Sequence, residues 1–249
     1  MTQTEAVIQT IHKFGGVATL GQINSAIFEI DDCQWGTKTP FATIRRIVRH
    51  TPKHIYRIKP GLYGLVGNKS QLEKEGIIEE TEHNKNSAEI IEFNHSYYQG
   101  ILLTYGRLRG MQTFVPAQDK NKYFLHSKLS EVSTLKELPE FSYPYFLERS
   151  RTIDTIWFNE RLMPNTFFEV EHSTDIQNSL LKFYDLRDFH ARMIIVADGS
   201  RIHEYEKKIH YDAFRDLIQP QQRIEFLSYE ELVKQYEAIT QRTHFTTII

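Results

Sequence analysis

The sequence predicts two domains of different fold class: a small helical domain that ends in a β-hairpin, and a larger α/β domain built on a mixed β-sheet flanked by helices. Apolar residues at helical spacing dominate residues 1–50. Strand-like runs alternate with helical segments over residues 88–249. Residues 67–87 are polar and acidic, which is typical of a linker. The predicted domains are therefore 1–66 and 88–249, joined by the acidic linker 67–87.

The composition is that of an ordinary water-soluble globular protein. The chain has 249 residues, which is enough for one large or two smaller cores. No apolar run reaches the length that crosses a bilayer, and no charged-then-apolar leader opens the chain, so we expect no membrane association. The single cysteine, Cys33, excludes an internal disulfide and indicates a reducing compartment, so we expect a cytoplasmic protein.

Charge is distributed unevenly along the chain. Residues 1–66 hold eight Lys or Arg against four Asp or Glu, whereas residues 67–92 hold three against seven. The formal net charge of the whole chain is only −2. The N-terminal part is therefore the basic part, and it is where an anionic partner would bind.

Three helices are predicted in the N-terminal domain. Glu5 to Phe14 carries apolar side chains at helical spacing. Thr19 and Gln22 have the spacing of a capping box, so a second helix begins there. A third helix begins at Thr39-Pro40, because proline suits the first turn of a helix, and its polar face is basic.

A short hairpin follows the third helix, with Ile55–Lys59 and Leu62–Val66 as strands and Pro60-Gly61 as the turn. Three helices and a hairpin make a winged helix-turn-helix, whose third helix lies in the major groove of DNA and whose hairpin contacts phosphate. Two alternatives are a helical domain with a solvated basic face and a winged helix that binds protein. The predicted DNA-binding residues are Thr39, Thr43, Arg45, Arg46, Arg49, Lys53, Arg57 and Lys59.

Residues 3–66 also carry a family resemblance. The run Trp35-Gly36-Thr37-Lys38-Thr39-Pro40, followed by Ile44, Tyr56-Arg57 and Gly61-Leu62-Tyr63-Gly64-Leu65, resembles the HARE-type winged helix. That family is found fused to restriction-endonuclease-like domains, so the resemblance implies a nuclease in the rest of the chain.

The C-terminal domain is predicted to alternate helices and strands. Its apolar runs are β-branched or aromatic and bounded by turn residues, and its helices show apolar stripes. The predicted helices are Ala88–Arg107, a segment from about Thr174, Ile202–Gln219 and a final helix capped by Ser228, and the predicted strands are Met111–Val115, Ile153–Phe158, Thr166–His172, Arg192–Ala197 and Arg223–Leu227.

Two of these strands carry acid where a core strand should carry none. Asp154 begins one strand, and Glu169 and Glu171 lie two residues apart in the next, so their side chains leave the same face. Like charges on a buried strand repel each other and are poorly solvated. A divalent cation between Asp154 and Glu169 would remove that cost, and hard oxygen ligands suit Mg²⁺ or Mn²⁺. The alternative is the solvent face of an edge strand.

The spacing of these acids resembles the PD-(D/E)xK signature of restriction-endonuclease-like nucleases. Asp154 is followed after about fifteen residues by Glu169-Val170-Glu171. Glu171 stands where the usual pattern has lysine, similar to an E-x-E variant, and Ile153 stands where it usually has proline. The resemblance implies that Asp154 and Glu169 hold a Mg²⁺ or Mn²⁺ ion, with the Val170 carbonyl as a further ligand.

The resemblance implies supporting roles for further residues, for which there are five candidates. Glu171, or Lys182 on the following helix, would orient or deprotonate the attacking water in place of the missing strand lysine. In related families the first helix lends a polar residue to the site, for which Gln99 or His95 is the candidate. His172 is a candidate for contacting phosphate. The alternative for Gln99 and His95 is a surface position.

Together these observations predict a Mg²⁺-dependent DNA endonuclease of the restriction or genome-defence type. The partners that the resemblance implies are double-stranded DNA, a second copy of the chain that would allow both strands to be cut, and a cognate methyltransferase. The alternative is a catalytically inactive nuclease-fold protein that binds DNA or acts as a regulator, which the absence of the strand lysine and of the proline favours.

Overall fold

The computed structural model describes residues 1–36, 38–219 and 223–246, and it divides the chain into two compact units. The N-terminal unit comprises Met1–Phe93 together with Val233–Ile249, and the sheet unit comprises Asn94–Leu232. Thr37, part of the run that resembles the HARE-type winged helix, lies outside the described residues.

The helices and strands follow the predicted order, with additions. The elements before residue 110 are α1 (Gln3–Lys13), β1 (Val17–Thr19), α2 (Leu20–Ala26), α3 (Pro40–His50), β2 (Ile55–Lys59), β3 (Leu62–Leu65), α4 (Lys69–Lys74) and α5 (Ala88–Leu108). The later elements are β4 (Gln112–Phe114), β5 (Tyr123–Phe124), β6 (Ser127–Lys128), α6 (Leu129–Val132), α7 (Pro144–Ser150), β7 (Thr155–Phe158), β8 (Pro164–Glu171), α8 (Ile176–Asp185), β9 (Arg192–Ala197), α9 (Ile202–Ile209), α10 (Arg215–Ile218), β10 (Ile224–Ser228) and α11 (Tyr229–Thr246).

The N-terminal unit contains the three expected helices and the expected hairpin. The capping box at Thr19 and Gln22 is confirmed, because the Thr19 side chain accepts from the Gln22 amide and the Gln22 side chain accepts from the Thr19 amide. Gly61 forms the hairpin turn at a φ of +74°, which favours glycine. Strand β1 was not predicted, since three residues are too few to show a pattern; it pairs with β3 in a sheet of order β1-β3-β2.

The segment predicted as a linker is part of the N-terminal unit. It contains α4, and its apolar residues Leu72 and Ile77 are buried. The last part of α11 belongs to the same unit, where the Tyr236 hydroxyl lies 3.4 Å from Thr19 Oγ1. The compact units therefore have bounds that differ from the predicted boundaries at residues 66 and 88.

The sheet unit is built on a five-stranded mixed sheet of order β10-β9-β8-β7-β4. Strands β10, β9 and β8 pair in parallel, and β8, β7 and β4 pair antiparallel. The predicted mixed α/β class is thus confirmed. Strand β8 lies between β7 and β9, so the alternative that its acids occupy an exposed edge strand is wrong.

One local prediction in the sheet unit is wrong, and one hairpin was not predicted. The helix expected over Ile202–Gln219 is interrupted: α9 ends at Ile209, a 3₁₀ turn covers Asp212–Phe214, and α10 follows. In one continuous helix Phe214 would point about 140° away from Ile209. The interruption lets both side chains reach the core, where both are buried. The β5–β6 hairpin was not predicted either, because its strands have only two residues each.

The β5–β6 hairpin depends on a glycine in α5. A Cβ atom at Gly100 would come within 2.1 Å of the buried Phe124 ring. We expect Gly100→Ala to lower the free energy of unfolding by about 1–3 kcal/mol, although alanine is the better helix former. Urea unfolding measures this, with Arg107→Ala at an exposed position of α5 as the control. Unchanged or higher stability of Gly100→Ala would contradict the prediction.

Candidate active site

Asp154 and Glu169 face each other across two neighbouring strands. The antiparallel register pairs Thr155 of β7 with Phe168 of β8, so the next pair outward is Asp154 and Glu169. Directly opposed residues of a sheet present their side chains on the same face. The two carboxylates are almost completely buried, with 7% and 2% of each residue exposed.

The Asp154 carboxylate is held from two sides. Its Oδ2 accepts a hydrogen bond from the Val170 amide (2.8 Å) and lies 3.2 Å from His95 Nε2. Burial disfavours the charged carboxyl, but the hydrogen bond and charge of His95, together with Lys182, outweigh burial and lower the pKa of Asp154. The pKa of His95 is raised, because its hydrogen bond to Asp154 and that carboxylate's charge outweigh the opposing effect of burial.

Glu169 is held by two residues of α8, and one of its oxygens has no hydrogen-bond partner. Its Oε2 accepts from Lys182 Nζ (2.7 Å) and lies 3.1 Å from Ser179 Oγ, whose single proton is shared with the Glu171 carboxylate. Its Oε1 is buried and accepts no hydrogen bond from any residue that the structure describes. Burial and the charge of Asp154 raise the pKa of Glu169 well above its usual value. Such an oxygen fits a cation ligand, because a bound cation would satisfy it and favour the charged carboxylate.

Lys182 lies where a helix lysine was expected to reach the site. Its ammonium group donates to the Thr152 carbonyl (2.9 Å) as well as to Glu169. Burial opposes its charge, but Glu169 and Asp154 outweigh burial and raise the pKa of Lys182. Lys182 is therefore a cation in this arrangement. Ser179 precedes it by three residues and so shares its face of α8.

The Glu171 side chain is bound by hydroxyl groups. Ser179 Oγ donates to one carboxylate oxygen and Thr174 Oγ1 to the other, and the Tyr229 hydroxyl donates to the Glu171 carbonyl (2.9 Å). Ser179 thus contacts both glutamates of the E-x-E run. Sequence reasoning missed Ser179, although its spacing from Lys182 was a usable signal.

Helix α5 contributes His95 and Gln99, which are four residues apart and share one face of the helix. Gln99 Nε2 donates to Asp119 Oδ2 (2.9 Å) and to the Asp154 carbonyl (2.8 Å). The surface alternative is wrong for Gln99, which has no exposed area. Asp119 was missed because it lies in a loop that was interpreted only as a turn. His172, by contrast, contacts Asn94 (Nδ1 to Nδ2, 3.3 Å).

The basic residues predicted to bind DNA differ in exposure. Lys59 is buried beside Glu80 (3.8 Å) and over the Phe93 ring (4.6 Å), so from this position it does not reach phosphate. Arg45 is half-buried and forms an ion pair with Glu237 (3.2 Å). Thr43 is also half-buried, whereas the exposed members of the set are Thr39, Arg46, Arg49, Lys53 and Arg57.

These observations define a buried carboxylate site with a lysine counter-charge at two inner strands of a mixed sheet, β7 and β8. Its donor set fits a divalent cation. Residues 76–249 match the family model described as the Type II restriction enzyme NmeDI C-terminal domain. The match covers more than half of the chain, so the chain belongs to this family and is a restriction-endonuclease-like protein. No curated protein and no solved structure shows significant similarity to it. Within the described ranges, no helix is both long enough and apolar enough to cross a membrane.

The burial of Lys59 makes stability depend on pH. Burial lowers its pKa from 10.5 to about 7, although Glu80 opposes this shift. Between these two values the unfolded chain binds more protons than the folded chain, so stability rises with pH over that window. We expect Lys59→Met to stabilise the protein most at pH 7 and below, and less as the pH approaches 10.5. Urea unfolding at several pH values measures the difference, with Lys53→Met as the exposed control. A difference that does not change with pH would refute this account.

Proposed function

We propose that the chain is a Mg²⁺-dependent DNA endonuclease of the restriction type, which hydrolyses phosphodiester bonds of duplex DNA. The observation that carries this proposal is the convergence of Asp154, Glu169 and Lys182 in a member of a Type II restriction enzyme family. Asp154 and Glu169 then correspond to the two acids of the PD-(D/E)xK signature in its E-x-E variant.

Asp154, Glu169 and the Val170 carbonyl would hold Mg²⁺, which Mn²⁺ can replace. Two facts support this ligand set: the carboxylates are opposed on neighbouring strands, and Glu169 Oε1 is buried without a hydrogen-bond partner in the described residues. When bound, the cation supplies charge neutralisation at the phosphate and lowers the pKa of water.

The contacts favour Lys182 over Glu171 as the replacement for the missing strand lysine. Lys182 brings a positive charge to Glu169 and can orient a water or a phosphate oxygen. Both Glu171 oxygens already accept hydroxyl hydrogen bonds. We therefore assign Glu171 the role of holding the Ser179 hydroxyl in place beside Glu169. In the reaction, water attacks phosphorus opposite the leaving oxygen and gives up a proton to solvent. One P–O bond forms and the other breaks, and the 3′ oxygen leaves and takes up a proton, which gives a 5′ phosphate and a 3′ hydroxyl.

The N-terminal residues 1–66 are proposed to be a HARE-type winged helix-turn-helix that binds duplex DNA, and residues 88–249 the nuclease domain. Helices α1 to α3, the three-stranded sheet and the exposed Arg46, Arg49, Lys53 and Arg57 support this assignment. We further propose that the enzyme cuts both DNA strands as a homodimer. It would act beside a cognate methyltransferase and be located in the cytoplasm.

A second candidate is a catalytically inactive nuclease-fold protein that binds DNA. Glu171 stands in place of the motif lysine and Ile153 in place of the proline, and these departures favour it. The two candidates predict the same DNA binding. They differ in whether the Asp154 and Glu169 side chains are needed for a chemical step.

Cleavage of methylated and unmethylated plasmid DNA distinguishes the two candidates. The wild type is expected to cut with Mg²⁺ or Mn²⁺ and not with EDTA. Glu169→Gln should abolish cutting, since it removes a charged ligand at nearly the same volume. Lys182→Met should reduce cutting by about 10²–10³-fold, the usual cost of losing one electrostatic stabiliser of the transition state.

The control for cleavage is Glu140→Gln at an exposed position, which should cut like the wild type. Each variant is also tested for DNA binding, so that misfolding is recognised. Absence of cutting on every substrate, with DNA binding intact, would favour the inactive candidate. Full activity of Glu169→Gln would refute the assigned site.

The basic face of α3 should determine how strongly DNA binding depends on salt. Each phosphate contact contributes about 0.9 to the slope of log affinity against log salt concentration. Replacing both Arg46 and Arg49 by alanine is therefore expected to weaken binding and to reduce the slope by roughly 2. Fluorescence anisotropy with a labelled duplex measures this. Lys13→Ala combined with Lys74→Ala, at exposed positions of α1 and α4, is the charge-matched control, and an equal effect of that variant would exclude α3 as the specific binding surface.

A further inference from the structure

The C-terminal half of α11 packs within the N-terminal unit along one stripe of side chains. Val233, Tyr236 and Thr240 are buried. Their spacing is that of one helical face, and Glu237 lies on the same face, one turn after Val233. A glycine makes room for the stripe, since a Cβ atom on Gly61 would collide with Val233. The packing of α11 therefore holds Glu237 in a fixed place on the N-terminal unit.

The Glu237 carboxylate lies between the two elements that are proposed to contact DNA, helix α3 and the hairpin of β2 and β3. Its Oε2 accepts a hydrogen bond from Arg45 Nη2 at 3.2 Å. Its Oε1 is on the side of the hairpin turn, where a Cβ atom on Gly61 would lie 3.2 Å from it. Only 12% of the Glu237 side chain is exposed, against 39% of the Arg45 side chain. Arg45 is thus the more accessible member of the ion pair, and the one that DNA can reach.

The charges that act on Glu237 belong to the basic face of the N-terminal unit. Burial raises the pKa of Glu237, and the charges of Arg45, Arg49 and Arg57 oppose that rise. Because an electrostatic interaction is mutual, the carboxylate also reduces the positive potential of these arginines. All three arginines belong to the set that the sequence predicts to bind DNA. The fold therefore places an anion of its own among them.

A carboxylate and a DNA phosphate bind arginine by the same chemistry. Both present anionic oxygens, to which a guanidinium group donates charge-assisted hydrogen bonds. We propose that Glu237 competes with a DNA phosphate for Arg45, so that this ion pair must open before the basic face binds duplex DNA at full strength. This competition rests on the proposed DNA binding by residues 1–66, and it adds a means by which the C-terminal helix of the chain regulates that binding.

An internal competitor lowers the affinity for every duplex by a similar factor. One phosphate contact contributes about 0.9 to the slope of log affinity against log salt concentration, so its gain between about 1 M and about 0.1 M salt is roughly tenfold. A duplex is then held only where further contacts, such as those to base edges, make up for the contact that Glu237 withholds. The ion pair would thus reduce the time that the protein spends on non-specific DNA.

Glu237→Gln removes the competing charge at nearly the same side-chain volume. We expect it to tighten binding of the full chain to a labelled duplex roughly tenfold at about 0.1 M salt, and to steepen the salt dependence by about 0.9. Fluorescence anisotropy measures both, with EDTA present so that the duplex stays intact. Glu230→Gln, at an exposed position about two turns earlier in α11, makes the same change of charge and should bind like the wild type.

A double-mutant cycle with Arg45→Gln tests whether Glu237 acts through Arg45. When Arg45 is already replaced, Glu237→Gln should tighten binding by less than about threefold, through its remaining effect on Arg49 and Arg57. A general effect of removing one negative charge would instead give the same tightening with and without Arg45.

Glu237→Asp provides a second test at constant net charge. Its shorter side chain draws the carboxylate back from Arg45, so it should also tighten DNA binding, and circular dichroism establishes that each variant is folded. Unchanged affinity of the folded Glu237 variants would overturn the proposed competition. Equal tightening by Glu230→Gln, or equal tightening by Glu237→Gln with and without Arg45, would overturn it as well.

Failure of this competition and failure of the proposed function give different results. Absence of DNA binding in the wild type and in every variant would refute DNA binding by residues 1–66, and the competition with it. Binding by the wild type that neither Glu237 variant tightens would refute the competition alone. Cleavage plays no part in these measurements, so loss of catalysis in the nuclease domain would leave their outcome unchanged.

Discussion

The burial of two opposed carboxylates inside a mixed sheet is the constraint on which the site depends. Asp154, directly before β7, and Glu169, in β8, have almost no exposed area, and in such surroundings charge is poorly solvated and like charges repel. Removing the cationic partner of a buried carboxylate lowers the stability of the protein, because it leaves the carboxylate without a compensating charge. The groups that hold these carboxylates, Lys182, His95 and the Val170 amide, therefore stabilise the fold as well as being suited to chemistry.

Residues of two helices supply the groups that compensate the buried carboxylates, because residues three or four positions apart share one face of a helix. Ser179 and Lys182 are three residues apart on α8, and His95 and Gln99 are four apart on α5, so each pair projects from one helical face. The sheet fixes the carboxylates, and the helices bring cationic or donor groups to them from two directions. Glu169 Oε1 remains without a hydrogen bond within the described residues. Unsatisfied buried polar atoms of this kind are concentrated at functional sites, where stability is given up for ligand binding.

Sequence patterns predicted the parts of the site that depend on local order. Asp154 and Glu169 stand out as acids in apolar strands, and Lys182 follows on a helix at a recognisable distance. Asp119 shows no such signal, because its contact with Gln99 arises only when the loop after β4 folds against α5. Lys59 looks like a surface cation in sequence, yet its side chain is buried beside Glu80 and Phe93. In both cases the environment of the side chain is set by residues distant in sequence. The local spacing of apolar and polar residues, from which the predictions were made, contains no information about such contacts.

In the proposed assignment, Lys182 on α8 replaces the lysine that the usual motif has at position 171 of β8. This replacement changes the net charge of the site. With a strand lysine, position 171 would contribute a positive charge, whereas here it contributes a carboxylate that needs its own hydroxyl donors. The buried or partly buried charges of this region are four carboxylates and two ammonium groups: Asp119, Asp154, Glu169, Glu171, Lys122 and Lys182. The carboxylates outnumber the ammonium groups by two, before the imidazole of His95 is counted. One dication would balance that excess. The excess of buried carboxylates in this region is therefore the electrostatic reason to expect a cation beside Glu169, whose Oε1 has no hydrogen-bond partner within the described residues.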